Sequence, residues 1–217
     1  MSNPENFIEE VTEEVRRDQL FMLFRRYGWI AVVAVLLLVG GAAFNEWRKA
    51  KTVAASQELG DAMLAALEAN EPAERVTALE AIEASGNAEA LVEFLAAGEE
   101  LAGEDPAAAA ARFAVIAENN DLPLAYRQLA TLKQVFAQGA TVAGEERLAT
   151  LSPLTAPGQP FRALAEEQSA LIEAELGQTD AAIERLRELL TASDATAGLR
   201  QRASQLIVAL GGSLEGL

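Results

Sequence analysis

Nineteen consecutive residues, Tyr27 to Asn45, carry no charge, and Ile30, Val32, Val33, Val35, Leu36, Leu37, Leu38 and Val39 dominate the run. A helix of that length rises about 28 Å, close to the ~30 Å hydrocarbon thickness of a bilayer. Arg25 and Arg26 bound one end and Arg48, Lys49 and Lys51 the other, while Tyr27, Trp29 and Trp47 stand where aromatic rings meet a membrane interface. Core helices of soluble proteins keep a polar face, which this run lacks. The pattern predicts a transmembrane helix over 27–45 whose residues include Tyr27, Trp29, Leu36, Leu37, Leu38 and Phe44. A cleaved signal peptide is the rival, because Gly40, Gly41, Ala42 and Ala43 are small residues after an apolar stretch. The 26 residues before the run are too long and too acidic for a signal peptide's basic start.

Charge divides the chain. Residues 1–26 hold four arginines and six acids, residues 27–51 three bases and one acid, and Thr52 to Leu217 ten bases and 26 acids, so the net −16 belongs to the C-terminal body. Such a body repels phosphate backbones, which excludes nucleic acid as a partner. The four upstream arginines outnumber the three downstream bases by one, which places a short cytoplasmic N-terminus inside and the body outside.

The segment 1–26 predicts an amphipathic helix. Asn3 is the cap, Pro4 takes the first helical position, and Phe7, Ile8, Val11 and Val15 form one apolar stripe among Glu9, Glu10, Glu13 and Glu14. Leu20 to Phe24 is too apolar for free solution and lies against a bilayer surface or a partner helix.

Beyond Thr52 the pattern is all-α. Leu59, Met63 and Leu67 mark one helix, Val76, Leu79 and Ile82 the next, and Leu91, Leu95, Leu101 and Ala102 a third. Pro72, Pro106 and Pro123 fall in first turns, and Gly86, Gly103, Gly139 and Gly177 where helices of about 12 to 17 residues stop. Residues 46–87 read as juxtamembrane helices and 88–217 as a degenerate tetratricopeptide-like repeat domain. Its repeat-packing residues are Gly103, Ala109 and Phe113 in one copy and Gly177, Ala182 and Leu186 in another. The two glycines lie 74 residues apart, and the first copy runs one residue out of step with the second. Leu124 to Gln138 and Gly144 to Leu151 supply a middle unit, the Thr155 to Pro160 turn precedes a helix from Phe161 to Leu176, and Leu199, Ala203, Leu206 and Leu210 form a capping helix. A generic helical bundle is the alternative.

Chemistry is scarce. The chain has no histidine and no cysteine, which removes thiol nucleophiles, imidazole proton transfer and the usual zinc sites. Glu99, Glu100, Glu104 and Asp105, and Glu166 with Glu167, read as solvated helix faces, and no glycine-rich phosphate loop or nucleophile elbow occurs. No catalytic, cofactor-binding or metal-binding residue is assigned, and the expectation is a protein that is not an enzyme.

The order of parts resembles the YfgM-like, tetratricopeptide-repeat-containing family of bacterial inner-membrane proteins, ancillary subunits of the SecYEG translocon. The resemblance is carried by Glu9 to Arg17 before the span, Leu23 to Asn45, Asn45 to Lys49 after it, and Ala156 to Leu164 followed by Gly177 to Leu190. It implies a single pass with a cytoplasmic N-terminus and a periplasmic repeat domain. It also implies partnership with Sec translocon subunits and with a membrane-anchored periplasmic prolyl isomerase chaperone, and no cofactor. Three function classes follow: a translocon-associated scaffold or chaperone-like protein, an assembly factor or accessory subunit of another envelope or respiratory complex, and a cleaved soluble enzyme, which the missing chemistry disfavours.

Overall fold

A computed structural model describes residues 4–214, with side chains from residue 25 onward, residue 31 excepted. The cap assigned to Asn3 and the stripe assigned to Phe7, Ile8, Val11 and Val15 lie outside what is described. The chain is all-helical, with 78% of it in helix and no strand among the described residues. It divides into two compact units, Met1–Glu58 and Leu59–Leu217.

The first unit belongs to one long helix, α1 (Pro4–Ala66), which enters the second unit at Leu59. It carries one stretch long and apolar enough to cross a membrane, and none of its apolar window is buried. Leu36, Leu37 and Leu38 are 65 to 74% exposed, and Tyr27, Trp29 and Phe44 are exposed as well. Phe44 and Trp47 stack at 5.9 Å, and the Lys51 ammonium lies 5.0 Å from the Trp47 ring.

The second unit adds α2 (Pro72–Glu80), α3 (Asn87–Ala102), α4 (Pro106–Glu118), α5 (Leu124–Gln138), α6 (Gly144–Leu151), α7 (Arg162–Glu175), α8 (Thr179–Thr191) and α9 (Ala197–Ala209). From α2 onward each helix packs against the next in sequence, and α3 also reaches α5 as α7 reaches α9. Proline opens α2 and α4 because a first-turn N–H has no intrahelical acceptor to lose. Asp105 caps α4 by accepting from the Ala108 amide at 3.0 Å. One helix, α2, is shorter than expected at nine residues, while α6 has the eight-residue bounds read from the sequence.

Gly86 is a correction. It does not stop a helix: α2 ends at Glu80, and Gly86, at φ 59°, forms the N-cap of α3. Its left-handed backbone turns the chain into the following helix, a use of glycine that composition cannot separate from a helix stop. The α3 face also departs from expectation. Ala90, Val92, Ala96 and Ala97 are buried, whereas Leu91 and Leu101 are exposed. The alanines occupy the core because they let neighbouring helices approach closely.

The body repeats itself. α4 and α8 are both 13 residues long and start 73 residues apart, at Pro106 and Thr179, and the same offset carries the end of α3 to the end of α7 and the start of α5 to the start of α9. It also carries one buried cluster onto another. Ala90, Ala97, Ala109, Phe113, Ile116, Leu122 and Ala130 map onto Ala163, Ala170, Ala182, Leu186, Leu189, Ala195 and Ala203, all buried. A third cluster, with Leu132, Val135, Leu151 and Ile172, joins the two copies through α5, α6 and α7.

The turn before α4 accounts for the apparent slip of one residue. At the end of α7, Gly177 is left-handed (φ 76°), its amide donates to the Ala174 carbonyl at 3.0 Å, and the Gln178 amide donates to the Glu173 carbonyl at 2.8 Å. At the end of α3 the same two bonds run from Glu104 to Leu101 and from Asp105 to Glu100, and the left-handed residue is Glu104, at φ 62°. Gly103 is therefore the counterpart of Leu176, with an ordinary φ of −82°. Both turns are Schellman closures, and the two copies are in step.

Candidate functional site

Two constellations stand out: a duplicated ion clamp and an apolar groove in the first copy. The clamp begins with arginine on α4. Arg112 donates to Glu100 through Nε at 3.0 Å and Nη2 at 2.7 Å, and to Glu93 through Nη1 at 2.7 Å. Seventy-three residues later, Arg185 on α8 donates to Glu173 through Nε at 3.0 Å and Nη2 at 2.5 Å, and to Glu166 through Nη1. The two acids of each clamp lie seven residues apart on one helix face, and a guanidinium fork from the antiparallel neighbour closes on both. The hydrogen bonds that Arg112 donates to Glu100, and then to Glu80 and Glu93, raise its pKa further above its already high value, and those to Glu173 and Glu166 do the same for Arg185.

These contacts correct the reading of the acidic clusters. Glu99 pairs with Arg75 at 2.5 Å, Glu100 with Arg112, Glu166 with Arg185, and Glu167 with both guanidinium arms of Arg202 at 2.7 Å. They are interhelical fasteners and not solvated faces. The missed signal was the spacing itself, Glu93–Glu100–Arg112 repeated as Glu166–Glu173–Arg185. Among the described residues no group of three or more acids is arranged to hold a metal ion.

The sequence-assigned packing residues fall inside the two repeated cores: Ala109, Phe113 and Ala182 are fully buried and Leu186 is 1% exposed. Ala109 with Phe113, and Ala182 with Leu186, stack one turn apart on α4 and α8. Gly103 and Gly177 lie in equivalent turns but at different positions within them.

The groove, a cavity of about 610 Å³, opens among the last turns of α1, α3, α5 and the residue before α7. Its apolar wall includes Met63, Leu91, Phe94, Leu95, Tyr126 and Leu129. Phe94 is held by rings on two helices, Phe113 at 5.8 Å and Tyr126 at 6.4 Å. One charged group lines the groove, Lys133, whose ammonium sits 5.6 Å from the Phe113 ring. Leu91 and Leu95, read from sequence as marking a helix, form part of the groove's wall. Helical periodicity reports an apolar face but not what covers it.

No family model, curated protein or solved structure matches the chain. The function therefore rests on geometry and on the order of parts.

Proposed function

We propose that the chain is a membrane-anchored scaffold or chaperone-like protein of the Sec translocon, with its helical-repeat body presented on the periplasmic side. The observation that carries this reading is the pairing of an unburied apolar helix with a body that displays an apolar groove. Leucine side chains 65 to 74% exposed, in series along α1, are costly in water and at home in lipid. One span confines the body to the membrane plane, where partners meet it at high effective concentration and weak contacts suffice for recruitment.

The neighbour-on-neighbour packing of short helices, the small-then-large pairs on α4 and α8 and the capping position of α9 support a tetratricopeptide-like array. The resemblance in order of parts supports the translocon and a membrane-anchored periplasmic prolyl isomerase chaperone as partners. The body's acidity favours basic surfaces on these partners, with an attraction that salt weakens. Glu93, Glu100, Glu166 and Glu173 are tied to arginines in the clamps, which favours a structural role for these acids over a catalytic one.

Affinity purification of the full-length chain from membranes in mild detergent tests the reading. Translocon subunits and the chaperone should co-purify. Recovery of a respiratory complex without translocon subunits would replace this function with that of an accessory subunit. In spheroplasts, externally added protease should digest the chain beyond Lys51, and protection of the body would reverse the orientation.

A further inference from the structure

The 73-residue repetition supplies an internal control for the groove. Residues 89–102, 106–118 and 124–136 each have a helical counterpart 73 residues on, so a feature that these stretches carry in only one copy is not demanded by the scaffold. At the groove the copies diverge sharply. Phe94 and Leu129, two of its apolar walls, correspond to Glu167 and Arg202, which form a two-armed ion pair in the second copy at 2.7 Å and 2.7 Å. Leu95 corresponds to the buried Gln168. The same helix pair can thus close this face with charge, yet the first copy leaves it apolar and open.

Lys133 shows the opposite exchange, since its counterpart is Leu206. Among the ten bases of Thr52 to Leu217, all of them described, nine hold a hydrogen bond or ion pair: Arg112, Arg185 and Arg202 in the contacts above, and Arg75, Arg127, Arg147, Arg162, Arg187 and Arg200 in others. Lys133 has only the Phe113 ring. Lys133 is exposed at the rim of an apolar groove with its ammonium free of protein hydrogen bonds and ion pairs, so it can meet an anion there without breaking an existing contact.

We infer that the first-copy groove binds a short apolar peptide segment bearing a glutamate or aspartate, with the apolar side chains between Phe94 and Leu129 and the carboxylate on Lys133. A cavity of about 610 Å³ is of the size that takes a few large side chains. The inference rests on reading the body as a protein-binding module, and it does not depend on the translocon.

The test uses the full-length chain in lipid nanodiscs at about 0.15 M salt, where the body's net charge is screened beyond ~8 Å but a contact at Lys133 is not. The probes are two pools of six-residue peptides. Their four central positions are drawn from leucine, isoleucine, valine and phenylalanine, and both ends are glutamate in one pool and glutamine in the other. The parent should retain the glutamate pool about tenfold better, as one charge-assisted contact allows. Lys133→Leu, which installs the second copy's residue, should erase that preference and keep apolar retention. Phe94→Glu with Leu129→Arg, which transplants the second copy's ion pair, should abolish retention of both pools. Should the double variant fail to fold, Lys133→Leu decides alone.

Equal retention of the two pools by the parent, or a preference that survives Lys133→Leu, overturns the inference. So does binding of laurate with no peptide retained, which would give the groove to a fatty-acid anion. A concentration-dependent dimer broken by the double variant, with no peptide retained, would give the face to a second copy and also overturns it. Peptide retention without translocon subunits in the membrane purification would leave the groove standing and remove the translocon, and the reverse result would do the opposite.

Discussion

Replacing Arg112 or Arg185 by methionine, which keeps the apolar stem and deletes the guanidinium, isolates what the clamps contribute. In Arg112→Met the Glu93 and Glu80 carboxylates, with side chains 34% and 50% exposed, regain water, while Glu100, 10% exposed, loses its donors and stays largely desolvated. Removing one partner from a fully buried pair costs about 3–5 kcal/mol. With one poorly solvated carboxylate left behind, the cost here is about 2–3 kcal/mol. Arg185→Met strands Glu173, at 7% exposure, while Glu166, at 12%, keeps Arg162 at 4.0 Å, so the cost is of the same size. Hydrogen exchange followed peptide by peptide in the full-length chain reads the loss where it occurs, and about 2–3 kcal/mol is a roughly 30- to 150-fold fall in protection. The fall should centre on α3 and α4 for Arg112→Met and on α7 and α8 for Arg185→Met. Adding Glu100→Gln to Arg112→Met should restore part of it, because a neutral amide is cheaper to leave unpaired. Losses below about 0.5 kcal/mol in both variants would show the clamps to be ordinary surface pairs and refute the reasoning.

Three further outcomes are expected. Ala182→Leu should overpack the α7–α8 contact and destabilise the second copy by about 1–3 kcal/mol, and Ala109→Leu should do the same in the first; an unchanged melting transition in both would contradict the shared core. Glu104→Gly should stabilise the α3–α4 turn by about 1 kcal/mol by removing a side chain from a left-handed backbone, and Gly177→Ala, where an added Cβ meets nothing within 4 Å, should cost about as much through backbone strain alone; equal stability of all three chains in urea would contradict the matched turns. The Arg162 guanidinium holds the Asp194 carboxyl below its ordinary value, so its contribution to stability is full above the usual carboxylate range and fades as pH falls through Asp194's lowered pKa. The difference in urea midpoint between the parent and Asp194→Asn should accordingly shrink from about pH 6 to about pH 2, and a gap that widens on acidification would contradict the pairing.

Much of this architecture is legible in the residues. Proline marks the openings of α2 and α4, the bounds of α5 and α6 follow from helical periodicity, and the Ala182–Leu186 spacing after Gly177 places α8. The repeat period is harder to read, because a search for matched glycines pairs Gly103 with Gly177. The matched residue is Glu104, held left-handed by two turn hydrogen bonds that a one-dimensional pattern does not display. The clamps escape for a similar reason: neighbouring glutamates look like a solvated face until an arginine 12 residues away in sequence folds back across them. The groove escapes because its leucines obey the same period as core leucines, and only the neighbouring helices decide whether an apolar stripe is covered.

The most direct test of the function is photo-cross-linking in native membranes, with a photoreactive amino acid placed at Leu37 on α1 or at Leu91 on the groove wall. The account predicts translocon subunits bound at Leu37, and periplasmic chaperone or newly exported chains bound at Leu91. Products dominated by a respiratory complex at Leu37, or by cytoplasmic proteins at Leu91, would contradict it.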